Sequence, residues 1–292
     1  MRNLTYIFAL ISAFSITFTS CDVVEEPFMN LQQEVSDSCE AFIFTALTNN
    51  PTRKVLLEDY TGHKCGNCPR AAEKAAELKE IYGEQLVSVA VHAGFFAWPM
   101  GDHFTTDFTT DAGDEWDSHF GNSDAGNPNG MVNRTGYPES DHIFQYSQWA
   151  QMVEEQIQIP ATIGLQLIAS YNETANLICV DVQTEILQSI STPLSLNVLF
   201  TESEIIAYQT DYAADPQEIP DYEHNHVMRK SLTGAWGQPL GQENYAIGDY
   251  LVNRYSTEID ETWNINKMSV IAFISNADTY EVLQVEEIHI TE

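Results

Sequence analysis

The segment Cys65-Gly-Asn-Cys68 stands between an apolar run, Lys54-Val-Leu-Leu-Glu-Asp-Tyr60, and a run of helix formers from Pro69 to Tyr82. No other feature limits the fold as strongly. The first run is rich enough in apolar residues to be a buried strand, and Thr61-Gly62 ends it. Pro69 suits a first helical turn, where its missing N–H costs nothing. Ala72, Ala75, Ala76, Leu78 and Ile81 form the expected buried side of that helix. Gly83 stops it, and Leu86-Val-Ser-Val-Ala-Val-His92 reads as a second buried strand. A βαβ unit with a dithiol at the mouth of its helix is predicted.

That position has chemical consequences. The N-terminus of a helix presents unpaired N–H groups and the positive end of its dipole, which stabilise a thiolate and lower its pKa below about 8.5. Lys64 adds a positive charge beside the pair. Cys65 is expected to be the more exposed sulfur and the attacking thiolate, with Cys68 on the first helical turn resolving the mixed disulfide. Chemistry of this kind needs no cofactor.

Compartment is written at the start of the chain. Arg2 precedes an apolar run from Leu4 to Phe18, too short for a comfortable bilayer span, and Thr19-Ser20-Cys21 follows. This pattern resembles a bacterial lipoprotein signal at residues 1–20, with Cys21 as the acylated first residue; the alternative is cleavage near Ser20 that leaves Cys21 a free thiol. Outside the cytoplasm thiols oxidise, so Cys39 and Cys179 either form a structural disulfide or remain two separate thiols. Residues 22–36 read as an acidic tether, and 41–47 as strand-like. Against 12 Lys plus Arg stand 43 Asp plus Glu, a formal charge of −31, which excludes binding to a nucleic-acid backbone.

Residues 93–126 exceed what a minimal βαβ-based domain requires. Phe95, Phe96 and Trp98 could grip an unfolded or peptide substrate; the alternative is a helical insert that packs its own Phe104, Phe108, Trp116 and Phe120. Its acids lack calcium-loop spacing. Gln145 to Ile159 reads as a helix ended by Pro160. Beyond it, apolar and polar residues alternate at Ile163–Leu167, Leu177–Ile186, Leu194–Phe200, Ser269–Ile274 and Val282–Ile290, which predicts an antiparallel sandwich resembling an immunoglobulin-type module. His224 and His226 share a face if extended but lack a third ligand, so no metal is expected. Phosphate loops, nucleophile elbows and HExxH motifs are absent, leaving nucleotide-dependent and hydrolase classes without support.

The dithiol and its flanks resemble the thioredoxin superfamily. Asp59-Tyr60 matches that superfamily's buried acid and following aromatic, and Gly126-Asn127-Pro128 before Gly130-Met-Val-Asn-Arg134 looks like its cis-proline loop. The resemblance implies that Asp59 assists proton transfer from the resolving thiol and that Pro128 aligns substrate. Lys64 stands where the superfamily usually carries an aromatic. Taken with Tyr222-Glu-His-Asn-His-Val-Met-Arg229 and Leu232-Thr-Gly-Ala-Trp-Gly237, these motifs are similar to the 28-kDa outer-membrane-protein-related lipoproteins of Bacteroidetes. Membership implies an α/β thioredoxin-like domain at 51–159, with an insert at about 93–126, followed by an all-β immunoglobulin-like sandwich at 160–292. It also implies an outer-membrane location, periplasmic or surface-facing, with a lipid anchor at Cys21. Two functions fit. One is thiol-disulfide exchange with envelope or surface proteins through Cys65, Cys68, Asp59 and Pro128; the other is non-catalytic display of a sandwich that binds a protein or glycan.

Overall fold

The computed structural model describes Cys39, Phe42, Phe44 and residues 51–290, which belong to one compact unit. The signal, Cys21 and the expected tether lie outside the described residues, as does most of the 41–47 run.

Strand β1 (Val55–Thr61), helix α1 (Cys68–Tyr82) and strand β2 (Leu86–His92) form the βαβ unit, with β1 and β2 parallel from Val55 beside Leu86 to Thr61 beside His92. Helices α2 (Asp111–Phe120) and α3 (Asn122–Ala125) follow, then β3 (Asn129–Val132), antiparallel to β1 with Tyr60 opposite Asn129. Thr110 caps α2 by accepting the Gly113 N–H at 3.0 Å, and Gly121, at φ 82°, supplies the left-handed residue that ends it. Helix α4 (Trp149–Ile157) is shorter than expected. The buried stripe of α1 is Cys68, Ala71, Ala75 and Leu78, a turn-by-turn series that starts at the cysteine. This corrects the expected side: Ala76 and Ile81 face solvent.

The remaining strands are β4 (Ile163–Asn172), β5 (Leu177–Ile186), β6 (Leu194–Glu202), β7 (Ile205–Thr210), β8 (Glu218–His224), β9 (Val227–Ser231), β10 (Gln238–Pro239), β11 (Tyr250–Glu258), β12 (Met268–Asn276) and β13 (Val282–His289). Strands predominate over helices. The expected break after residue 159 does not divide the sheets. One sheet runs in the order β13-β12-β6-β9-β2-β1-β3, with β10 against β6, so strands from before and after that point share it. The junction is Ala90 of β2 beside Val227 of β9, where the Ala90 N–H donates to the His226 carbonyl at 2.8 Å.

Alternation along the strands explains the shared sheet. Leu196, Val198 and Phe200 of β6, with Val270, Ala272 and Ile274 of β12, pack onto the β11-β5-β4 sheet in one core. Leu199, Ile271 and Phe273, pointing the other way, meet Leu56, Tyr60, Val89 and the α2 residues Trp116 and Phe120 in a second. A third core, on the opposite face of β1, joins Val55 and Leu57 to Ala71, Leu78, Trp149 and Val153. Strands covered on both faces read as nearly continuous apolar runs. Each fully buried Leu, Val or Phe contributes about 1.5–3 kcal/mol relative to exposure. Cys39 and Cys179 form a disulfide with Cα atoms 5.7 Å apart, tying the segment before β1 to β5.

Candidate dithiol site

Cys65 and Cys68 are joined in a disulfide, Cα to Cα 5.4 Å, where the chain leaves β1 and enters α1. Gly62 lets this loop pass close to the insert, since a Cβ there would lie within 2.7 Å of Phe96 and Ala97 backbone atoms. The Cys68 N–H donates to the Cys65 carbonyl at 3.2 Å and tightens the helix start. The first turn of α1 contains no acid, so nothing offsets its dipole there. The Lys64 ammonium lies over the Phe95 ring, 4.8 Å from its centroid.

Asp59 lies on the α1 side of β1 and lines a cavity of about 280 Å³ that Cys68 also lines. Helix α1 supplies Pro69, Ala72 and Glu73 to its wall, β2 supplies Ser88 and His92, and β8 supplies Tyr222 and His224. Asp59 Oδ1, Ser88 Oγ, His92 Nδ1 and His224 Nε2 have no hydrogen-bond partner among the described residues. Burial pushes the Asp59 carboxyl up to about 8. Burial also lowers His224 to about 4 and His92 well below its ordinary value, leaving both imidazoles neutral at pH 7. The Asn127–Pro128 peptide is cis, and the pairing of Asn129 with Tyr60 brings Pro128 to the end of β1 where the Cys65 loop begins.

Accessibility departs from expectation. Neither cysteine is exposed: Cys65 is 3% and Cys68 2% exposed. The cover is the β7–β8 hairpin, more than 130 residues downstream of the pair by sequence. The Thr210 N–H donates to the His63 carbonyl at 2.8 Å, the Tyr212 N–H to Gly66 at 2.9 Å, and Gln209 Nε2 to Cys65 at 3.0 Å. Arg70 holds the same segment through Asp211 at 2.8 Å and also donates to the Gly66 carbonyl. A Cβ at Gly66 would stand 2.4 Å from the Tyr212 ring, so only glycine admits that ring. None of these partners was legible as part of the site. The alternating segments around Asp215-Pro216 signal a hairpin, but nothing local says where it docks.

The insert divides between its two expected roles. Phe108, Trp116 and Phe120 are buried, whereas Phe95, Trp98 and Met100 are each at least half exposed beside the dithiol loop. His103 stacks on Tyr208 of β7 with centroids 4.5 Å apart, so insert and hairpin brace one another. His224 turns toward Phe108 and Tyr222, while His226 adopts φ 55° in the turn after β8. No group of three or more His, Cys, Asp or Glu suited to a metal occurs among the described residues.

Residues 114–292, more than half of the chain, match the family of outer membrane protein Omp28. The chain belongs to the Omp28 family. Its location is accordingly the outer membrane, and no helix among the described residues is long and apolar enough to cross one. Among solved structures this Omp28 member is similar to HBP35 of Porphyromonas gingivalis, at 18% identity and TM-score 0.57 over 82% of this chain and 76% of that one. A protein from Agrobacterium tumefaciens matches at 11% identity and TM-score 0.50, over 82% of this chain and 96% of that one. A domain of the outer membrane lipoprotein Omp28 from P. gingivalis matches at 21% identity and TM-score 0.30, over 45% of this chain and 89% of that one. At such identities the first two likenesses are of fold. No curated protein matches the chain in sequence.

Proposed function

We propose that this Omp28-family protein is a lipid-anchored thiol-disulfide oxidoreductase whose residues 51–159 act as a thioredoxin-like exchange centre on envelope or surface proteins, with Cys21 carrying the lipid. The observation that carries the proposal is the pairing of an oxidised Cys65–Cys68 at a helix start with Asp59, a buried and unpartnered acid that lines the same cavity as Cys68. A carboxyl lifted to about 8 holds a proton near neutral pH that it can pass to a leaving thiolate, which a structural disulfide does not need.

Starting from the oxidised pair, a substrate thiolate attacks Cys65 Sγ. The Cys65–Cys68 bond breaks, and Cys68 leaves with the bonding electrons and takes the proton held on Asp59. A second substrate thiolate attacks the substrate sulfur of the mixed disulfide and expels Cys65. The substrate loses two electrons and gains a disulfide; the protein becomes a dithiol. A second disulfide-bearing protein, running both steps in reverse, returns the pair to the oxidised state. Pro128 aligns substrate at the end of β1.

One observation favours the second reading, a non-catalytic surface lipoprotein that binds a protein or glycan through its sandwich: both sulfurs are buried. Equilibration of the full mature chain with glutathione buffers, followed by alkylation and peptide mapping that reads Cys65 and Cys68 separately from Cys39 and Cys179, decides between the two. A reversible couple above about −300 mV is expected, and Cys68→Ala should accumulate mixed disulfides on Cys65. A pair that stays oxidised below about −300 mV overturns the oxidoreductase reading.

A further inference from the structure

We propose that the segment Gln209–Tyr212 of the β7–β8 hairpin is an internal occupant of the substrate groove, and that the protein's substrates are extended polypeptides which displace it. This inference rests on the exchange reading above and specifies its substrate class. The contacts have the form of a bound strand. Thr210 and Tyr212, two residues apart and so on one edge of an extended chain, each donate a backbone N–H to the dithiol loop, at 2.8 and 2.9 Å. Those acceptors, the carbonyls of His63 and Gly66, belong to the main chain, so any extended polypeptide can satisfy them whatever its sequence. Side-chain selection falls on Gly66, whose missing Cβ leaves a flat shelf now covered by the Tyr212 ring. An aromatic side chain of the substrate fits there, and the exposed Phe95, Trp98 and Met100 extend the apolar surface.

The cover is held in a way that permits release. The ties of Gln209–Tyr212 to the dithiol loop and α1 are two backbone hydrogen bonds, the Gln209 amide, the Arg70–Asp211 pair and one ring, and Tyr212 itself is 57% exposed. Each such tie is individually weak, and an incoming strand replaces the backbone bonds one for one. A small disulfide reaches the pair only slowly, because Cys65 is 3% exposed beneath the hairpin. A strand that takes the hairpin's place uncovers the sulfur as it binds.

The test uses the reduced full chain and two probes. One is dithiobis(nitrobenzoate); the other is a ten-residue peptide with Tyr two positions from a cysteine that carries a nitrothiobenzoate group. The variant Asp211→Ala/Tyr212→Ala should react at least tenfold faster than the natural chain with the small probe, whereas Tyr212→Phe should keep the natural rate. A cysteine-free peptide of residues 207–213 should slow the loosened variant toward both probes, because it restores the cover that the substitutions loosen. Equal rates for the loosened and natural chains overturn the proposal and leave exchange intact. Acceleration without competition by the 207–213 peptide overturns the polypeptide groove. Failure of both probes with every variant removes the oxidoreductase reading itself.

Discussion

Asp59→Ala is expected to stabilise the oxidised protein at pH 9 by up to about 5 kcal/mol while slowing disulfide exchange near neutral pH. The acid is buried without a partner for Oδ1 among the described residues, and burial lifts its carboxyl from 3.8 to about 8. Below pH 4 the folded and unfolded chains both hold the proton, and there is no ionisation penalty. Between about 4 and about 8 the unfolded chain ionises and the folded chain does not, so stability falls by about 1.4 kcal/mol for each pH unit. Above about 8 both are ionised and the full penalty persists. The direction is opposite to that of an ion-paired carboxylate. The stability difference between variant and natural chain should therefore open from pH 4 to 8 and then level off, in urea unfolding of the oxidised forms followed across pH. A difference below about 1 kcal/mol that does not vary with pH would show that the carboxyl is not held neutral.

The same substitution separates a working acid from a buried remnant. If Asp59 supplies the proton that Cys68 takes on leaving, its loss removes the inflection near pH 8 from the exchange rate and slows the step below it. A chain that gains stability and keeps an unchanged rate profile has an acid with no part in exchange. Gain of stability with loss of activity is the expected pattern for a functional group held in an unfavourable environment.

The βαβ unit was legible because its signals are local: a strand run, a proline suited to a helix start, a glycine stop and a second strand within 40 residues. The cover around Cys65 was not, because it depends on Thr210 and Tyr212, which reach the loop through backbone hydrogen bonds spanning more than 140 residues of sequence. The sharing of one sheet by strands on both sides of residue 159 was hidden for a related reason. Leu194 to Glu202 is buried along its whole length, the mark of a strand covered on both faces, whereas an isolated sandwich would leave one face polar. Ser195, Asn197 and Thr201 give the run the alternation of a half-exposed strand, and only the long-range pairing shows that these polar residues are buried as well. Strands β7 to β11 lay beyond reach because their patterns are short or half-exposed, and β7 is interrupted by a bulge at Ala207/Gln209.

Glu58 and Asp59 are neighbours in sequence, yet β1 sends their side chains to opposite faces, and their fates diverge. Asp59 enters a cavity without a cation; Glu58 accepts from Arg134 Nε at 2.9 Å and Nη2 at 2.7 Å, with both side chains 1% exposed. The Arg134 guanidinium also lies 4.6 Å from the Trp116 ring centroid, 5.0 Å from Phe120 and 5.2 Å from Phe273, so one side chain joins β1, α2 and β12. Arg134→Met is expected to destabilise the fold by about 3–5 kcal/mol, because it strands the Glu58 carboxylate in the core and removes a cation from three ring faces. The double change Glu58→Leu/Arg134→Met should recover more than half of that loss, since no charge is then left unpaired. Urea midpoints of the four chains complete the cycle. A single-variant loss below about 1 kcal/mol would mean that the pair is not a buried determinant of the fold. A double variant less stable than Arg134→Met alone would place the cost in packing around the guanidinium rather than in the orphaned charge.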